Sequence, residues 1–308
     1  MILTVTLNPS IDIKYNISNF KLGKVHRAEK CEKSAGGKGL NVARVVKKLD
    51  CKLLTTGFLG GKLGEELSEK LNEINIKNDF EKIKGETRNC INILHNNMSS
   101  EILESGPVVL PEEWKNFKNK FRKLTEKYKF ISASGSLPSG LSSDSYCELI
   151  HIAKENKCKF FLDTSGTALR ESLKAKPYFI KPNLEELEKL TDADSLKNIN
   201  EVIEEAKKLN ADGIEIVAVT LGGEGSILVT KEVIYIAEIP KFNVLNTVGC
   251  GDSFVAGFIA GHEKKLSLIE SFKLAIACSI SNALLPETGN IDSSILEELK
   301  QKIKILKK

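Results

Sequence analysis

The stretch Asn246-Thr247-Val248-Gly249-Cys250-Gly251-Asp252-Ser253-Phe254-Val255-Ala256-Gly257 is a turn of small residues that opens directly into a helix. Gly249 and Gly251 permit backbone conformations that larger residues resist, so the N–H groups of Cys250, Gly251 and Asp252 can converge on one spot. First-turn N–H groups lack partners inside a helix, and the helix dipole adds positive charge there. The spot is a natural anion site. Asp252 sits inside it. A carboxylate beside a bound phosphate repels it, unless its task is to take a proton from an incoming hydroxyl. The competing reading is an ordinary acidic residue in a helix first turn.

A second glycine-rich helix entry, Gly36-Gly37-Lys38-Gly39-Leu40-Asn41, offers bare backbone for close approach and two side-chain donors, Lys38 and Asn41. No GxxxxGK[ST] spacing occurs, so it is not a Walker A loop. Asp12 follows a turn and can accept from vicinal hydroxyls, or simply end a strand in solvent. Arg88 in Thr87-Arg88-Asn89 has the fork that suits a phosphate oxygen, though single arginines often form surface ion pairs. Lys181-Pro182-Asn183 with Glu186 puts Asn183 and Glu186 on one face of a helix start. The pair can hold Mg²⁺ through water or form a capping box. Thr220-Leu221-Gly222-Gly223-Glu224-Gly225 is a strand-end loop suited to a nucleotide. The four His (26, 95, 151, 262) show no metal spacing.

These residues need elements to hold them. Ile2 to Leu7 reads as a buried strand ended by Asn8-Pro9-Ser10. Residues 12–18 and 25–33 alternate around Leu22-Gly23-Lys24, which predicts a hairpin-like pair. A helix over 40–49, a strand over 53–58 and a helix over 65–72 follow, then strand-like segments at 88–94 and 101–103. From Pro111 the pattern is regular. Helix 111–127 precedes strand 130–133, helix 142–156 precedes strand 159–162, and a short strand 178–180 precedes helix 184–190. After helix 200–209 come strand 214–220, a hairpin of 226–230 with 233–239, and three helices near 251–261, 267–284 and 293–306.

Strands alternating with helices predict an α/β fold with a mostly parallel sheet flanked by helices on both faces. Such sheets bind ligands beyond the carboxyl ends of their strands, where Asp12, Gly135, Asp163, Lys181 and Gly222 fall. The interruptions at approximately 12–35 and 88–105 predict a small sheet, placed as a lid or a dimer contact, within a single domain over 1–308.

Composition narrows the function classes. Of 308 residues, 41% are hydrophobic and 28% charged, as expected for a chain with a sizeable core. The net charge of +4 comes from lysines scattered beside Glu and Asp, and aromatics are 6%. That pattern describes solvated helix faces and offers no nucleic-acid groove. Seven Cys without a CxxC pair suggest neither a disulfide framework nor a zinc site. No apolar run approaches a membrane span, and Met1 to Leu7 lacks the features of a signal segment. The expected location is cytoplasmic.

Together the motifs resemble those of the PfkB (ribokinase-like) family of sugar kinases, from residue 1 to about residue 290. The segments at 36–41 and 246–257 are specific in combination. Thr6-Leu7-Asn8-Pro9-Ser10-Ile11-Asp12 and Val25-His26-Arg27 are similar to the phosphosugar branch. Gly85-Glu86-Thr87-Arg88-Asn89-Cys90-Ile91, followed by Glu101-Ile102-Leu103-Glu104-Ser105-Gly106-Pro107, is closer to members acting on tagatose 6-phosphate. Those acting on fructose 1-phosphate typically read Thr-Arg-Ile-Asn and then Glu-Ile-Asn. Cys250 stands where Ala or Ser is usual, and only its backbone N–H is the functional element.

The resemblance implies a ribokinase-like core with a small β-sheet lid that serves as a homodimer clasp. It implies ATP and Mg²⁺, with Asp252 as catalytic base and Gly249, Cys250 and Gly251 as anion hole. Asp12, Gly37, Lys38, Asn41 and Arg88 would contact the phosphosugar. Lys181, Asn183, Glu186, Thr220, Gly222, Gly223, Gly225 and Asn282 would serve MgATP. The implied reaction converts tagatose 6-phosphate to its 1,6-bisphosphate, with fructose 1-phosphate as the alternative acceptor. A non-catalytic phosphosugar sensor is the alternative of another class. The intact Asp252 argues against it, since a sensor has no use for a base beside a phosphate.

Overall fold

Near-continuous apolar runs form the strands of one central sheet, and the helices close over both its faces. The computed structural model describes residues 1–96, 98–193 and 195–308; Asn97, within the second lid segment, lies outside the described residues. The first elements are β1 (Ile2–Thr6), β2 (Ser10–Asn16), β3 (Lys30–Gly36), α1 (Lys38–Lys48), β4 (Leu53–Gly60) and α2 (Gly61–Glu73). Next come β5 (Glu81–Ile83), β6 (Arg88–His95), β7 (Met98–Leu103), α3 (Pro111–Lys127), β8 (Phe130–Ser134), α4 (Ser145–Glu155) and β9 (Lys159–Asp163). Then follow α5 (Gly166–Leu173), β10 (Phe179–Ile180), α6 (Leu184–Thr191), α7 (Ile199–Ala211), β11 (Ile216–Thr220), β12 (Ser226–Thr230) and β13 (Ile234–Glu238). The chain closes with α8 (Cys250–Glu263), α9 (Leu268–Ala283), α10 (Leu296–Lys302) and β14 (Lys304–Lys307).

The main sheet has ten strands in the order β14-β13-β12-β11-β10-β9-β8-β1-β4-β5. From β5 to β11 neighbours run parallel, and β12 to β14 join antiparallel. Side chains alternate between two cores, as strand geometry demands. Leu3 and Val5 of β1, with Val217 and Val219 of β11, pack under α3 to α7. Ile2, Ile216 and Ala218 face α1, α8, α9 and α10.

The helix α8 is buried on all sides from Asp252 to Gly261. It lies against α9 so closely that a Cβ on Gly257 would stand 2.8 Å from Ala275 Cα, and one on Gly261 2.5 Å from Ser271 Oγ. Phe254 and Phe258 are part of this packing. Each such ring contributes roughly 1.5–3 kcal/mol on burial, which fixes the helix start in space.

The second sheet has the order β3-β2-β6-β7. Its strand β2 pairs antiparallel with β3 and parallel with β6, so the two chain segments that build this sheet meet at its centre. Ile11, Ala35, Leu40, Leu59 and Leu67 pack its root against α1 and α2.

Several elements differ from the sequence expectation. The first lid pair is β2 with β3, joined through residues 17–29 rather than by a tight turn at Leu22-Gly23-Lys24. Helix α2 begins at Gly61, four residues before the expected start, because Glu86 supplies its cap from a distant segment by accepting from Leu63 N–H at 2.7 Å. Strand β5 and helix α5 have weak local signals and were not expected. The last expected helix, 293–306, is a 3₁₀ turn at Ser293–Ile295, the short α10, and β14. Ile305 and Leu306 extend the sheet edge, and flanking lysines blunt it against further pairing.

Candidate active site

The loop before α8 is stapled to residues 286–290. Asn246 accepts from Val248 N–H at 2.9 Å and donates to Thr288 Oγ1 at 3.2 Å. Asn282, fully buried on α9, donates to the Val248 carbonyl at 2.9 Å and accepts from Gly289 N–H at 2.9 Å. Its side chain is therefore spent inside the protein. Asn282, expected to serve the nucleotide, braces the loop before α8 in this way. Gly249 caps the helix at φ +83°, where a Cβ would also stand 2.8 Å from Gly289 N. Only glycine fits there.

This geometry leaves the N–H groups of Gly251 and Asp252 without acceptors among the described residues, while Cys250 N–H turns back to Thr247 O at 3.3 Å. The unpaired N–H groups of this helix start are thus those of Gly251 and Asp252. A Cβ on Gly251 would stand 3.2 Å from Lys181 Nζ, so an ammonium adjoins the same helix start. Lys181 is 6% exposed.

Asp252 is 5% exposed, and its Oδ2 accepts from Asn41 Nδ2 at 2.7 Å. Burial, and then the negative charge of Asp163, push its carboxyl up to about 6. Lys38, the Asn41 hydrogen bond and Lys181 pull the other way. A base must be ionised to accept a proton. The rate is therefore expected to fall about tenfold per pH unit below about pH 6 and to be level above it. Measuring kcat from about pH 5 to 8 at saturating substrates checks this, and a flat profile would exclude Asp252 as the titrating group.

Asp163, at the end of β9, is the charge hub. Its Oδ1 lies 3.3 Å from Lys181 Nζ and its Oδ2 3.6 Å from Lys38 Nζ. Burial opposes its charge, but the two ammonium groups outweigh this and hold its carboxyl below the usual range. Lys38 is pushed up in return, by Asp163 first and Asp252 less. Neither Asp163 oxygen has hydrogen-bond geometry with a partner among the described residues, which leaves both as acceptors facing the cleft charges.

On the lid side, Asp12 accepts from Ser10 Oγ at 2.6 Å, and a Cβ on Gly36 would overlap its carboxylate. Burial raises the Asp12 carboxyl, while Ser10, Arg44 and Arg88 lower it. Gly37 caps α1 at φ +114°. Arg88 donates to Asn8 O at 3.0 Å and Glu104 O at 2.7 Å, so two of its donors already tie the small sheet to the turn after β1.

On the opposite side, Asn183 and Glu186 form the capping box, with Asn183 Oδ1 accepting from Glu186 N–H at 2.8 Å and Glu186 Oε2 from Asn183 N–H at 2.9 Å. Thr220 is bridged to Asn183 through the backbone. Gly222 and Gly223 have open space at Cα, whereas a Cβ on Gly225 would meet Ala237 O at 2.0 Å. Gly225 thus serves the β12–β13 hairpin. Among the described residues, no cluster of three or more His, Cys, Asp or Glu could cage a metal, and no helix is long and apolar enough to cross a membrane.

In the sequence, Asp163 is an acid at a strand end with no evident role, and Arg44 is a charged side chain inside the apolar run Val42-Ala43-Arg44-Val45-Val46, three residues after Asn41.

Residues 5–293 match the model of the pfkB family carbohydrate kinases. The chain belongs to the PfkB family. It is 40% identical over 308 residues to a Staphylococcus epidermidis tagatose-6-phosphate kinase, covering 99% of each chain. A Staphylococcus aureus structure provisionally assigned as a phosphofructokinase shares 33% identity and a TM-score of 0.88, over 100% of this chain and 99% of that one. Escherichia coli phosphofructokinase-2, solved with potassium, has the same fold at a TM-score of 0.93 and 24% identity, over 97% and 98% of the two chains. This PfkB-family chain is a carbohydrate kinase, a phosphotransferase, and the expected fold class holds.

Proposed function

We propose that this kinase transfers the γ-phosphoryl group of ATP to a ketohexose phosphate, tagatose 6-phosphate, giving tagatose 1,6-bisphosphate and ADP. One observation carries the chemistry: a buried carboxylate, Asp252, stands in the first turn of α8 beside two free N–H groups and the Lys181 ammonium. The choice of sugar rests on the full-length similarity to a tagatose-6-phosphate kinase and on the segment 85–107.

The acceptor hydroxyl lies against Asp252. Its O–H bond breaks toward the free carboxylate oxygen as its oxygen forms a bond to the γ-phosphorus and the bond to ADP breaks. The transition state of phosphoryl transfer is loose, so the proton leaves late and a base of modest strength suffices. Gly251 N–H, Asp252 N–H and Lys181 then hold the equatorial oxygens as their charge redistributes. Asp12, Gly37, Lys38 and Arg88 orient the sugar phosphate, Asn41 holds Asp252 toward it, and Thr220, Gly222 and Gly223 line the nucleotide side.

The donor set fits Mg²⁺ carried on water and phosphates, since Glu186 spends only Oε2 on the capping box and keeps Oε1 for a hydrated ion. Asn183 and Glu186 would hold it through water, and it would neutralise charge on the nucleotide phosphates. The small sheet acts as a lid on a single domain, excluding water when the sugar is bound. Leu22 and Val25, 90% and 93% exposed, with Ile102 and Leu103, leave apolar side chains exposed on the lid, which supports a homodimer. All seven cysteines are free thiols, which suits a reducing cytoplasm.

The test is ADP release with MgATP, comparing kcat/KM on tagatose 6-phosphate, fructose 1-phosphate and fructose 6-phosphate. The expected order puts tagatose 6-phosphate first. A preference for fructose 1-phosphate would keep the chemistry and overturn the sugar.

A further inference from the structure

Arg44 lies on the inner face of α1, among residues that are nearly all buried. A guanidinium has donors and no acceptor, so every partner must be an oxygen. Arg44 donates through one nitrogen to the Ala35 carbonyl at 2.5 Å, at the end of β3. Through the other it donates to Asn41 Oδ1 and, at 3.4 Å, to the Thr288 carbonyl. Its charge faces the carboxylates of Asp12 and Asp252.

The consequence falls on Asn41. An amide side chain is nearly symmetric, and only its partners decide which end is oxygen. Arg44 can accept nothing, so Asn41 must present Oδ1 to it and Nδ2 to the opposite side. On that side is Asp252 Oδ2, 2.7 Å from Asn41 Nδ2. Gly289 holds Asn41 from a further direction, since a Cβ there would stand 2.8 Å from Asn41 Cβ. The amide is therefore clamped in one orientation, and a cation on its oxygen end strengthens its N–H as a donor.

We propose that Arg44 is a positioning residue for phosphoryl transfer: by holding Asn41 Oδ1 it locks Asn41 Nδ2 onto Asp252 Oδ2, which fixes the carboxylate and leaves Oδ1 for the substrate hydroxyl. This rests on the reading of Asp252 as the base. Arg44 touches neither substrate in this scheme. It acts through Asn41, and its bond to Ala35 ties the same clamp to the strand that flanks Asp12.

The test is a double-mutant cycle with Arg44→Met, Asn41→Ala and the pair, using the acceptor best turned over in the three-sugar panel. Arg44→Met is expected to lower kcat by about 10²-fold, the cost of a mispositioned group, while KM for both substrates stays within about threefold. In the Asn41→Ala background, Arg44→Met should cost less than about threefold more, because the residue it acts through is already gone. Arg44→Lys keeps the charge but cannot serve the three carbonyl oxygens together, and should recover part of kcat. If Arg44→Met does not fold, as judged by circular dichroism, Arg44→Lys takes its place in the cycle.

Losses from Arg44 and Asn41 that multiply, or a KM change with kcat intact, would overturn the proposal. The two failures separate cleanly. Wild-type turnover in Asp252→Asn removes the base, whereas multiplying losses remove the positioning role and leave the base in place.

Discussion

Asp252→Asn is expected to lower kcat by roughly 10²–10⁴, the usual contribution of a general base, with KM for sugar and nucleotide changed only a few-fold. The amide keeps the shape and still accepts from Asn41 Nδ2, but it cannot take the proton. The same variant should be more stable than the parent at neutral pH. The carboxyl of Asp252 titrates at about 6 in the folded protein, above its ordinary value of 3.8. Folding therefore binds a proton between those values, and stability falls as pH rises through that window. Removing the charge relieves that cost. A melting temperature raised at pH 8 and unchanged near pH 4, together with the kcat loss, would distinguish a missing base from a damaged fold. A kcat near wild type would sink the assignment.

Asp163→Asn carries the second large effect. Lys181 and Lys38 share the Asp163 carboxylate, and Lys181 is almost wholly buried. Removing the anion leaves a buried ammonium without its counter-ion, a change that costs on the order of 3 kcal/mol, the low end because Lys38 reaches solvent. The sign with pH is opposite to that of Asp252. The Asp163 carboxyl titrates below its ordinary range when folded. Its contribution is thus present above about pH 4, the unfolded value, and lost as pH falls through the folded one. Urea denaturation of both proteins at pH 7 and near pH 3 should show a gap that closes in acid. Equal stability at pH 7 would mean that the two lysines do not depend on Asp163.

The parallel sheet was legible because its strands are continuous apolar runs separated by helices with a clear 3.6 period. The signature glycines were legible because few residues tolerate such turns. Position in space was not. Asp163 reads as one more acid at a strand end, and its weight comes from two lysines that the sequence places 125 and 18 residues away. Asn282 fits a nucleotide site by its place near the end of the chain, yet five hydrogen bonds with Val248, Cys250, Gly289, Asn290 and Ser253 consume its amide. Asn183 and Glu186 form the very capping box that their spacing allowed. Strand β14 was hidden because Lys304-Ile305-Leu306-Lys307 suits a helix end as well as an edge strand, and only β13 decides between them.

The pairing of β2 with β6 has a consequence for how the chain is made. The hairpin β2–β3 leaves the ribosome first, and an isolated two-stranded hairpin is at best marginally stable in water. Its other neighbour begins at Arg88 and is completed by β7 at Leu103. Both lid segments therefore wait on one another, and such distant pairing is slow because loop closure precedes the gain from contacts. The nascent kinase carries an unfinished second sheet while α1, β4 and α2 are already emerging, and that sheet is completed from its two arms together.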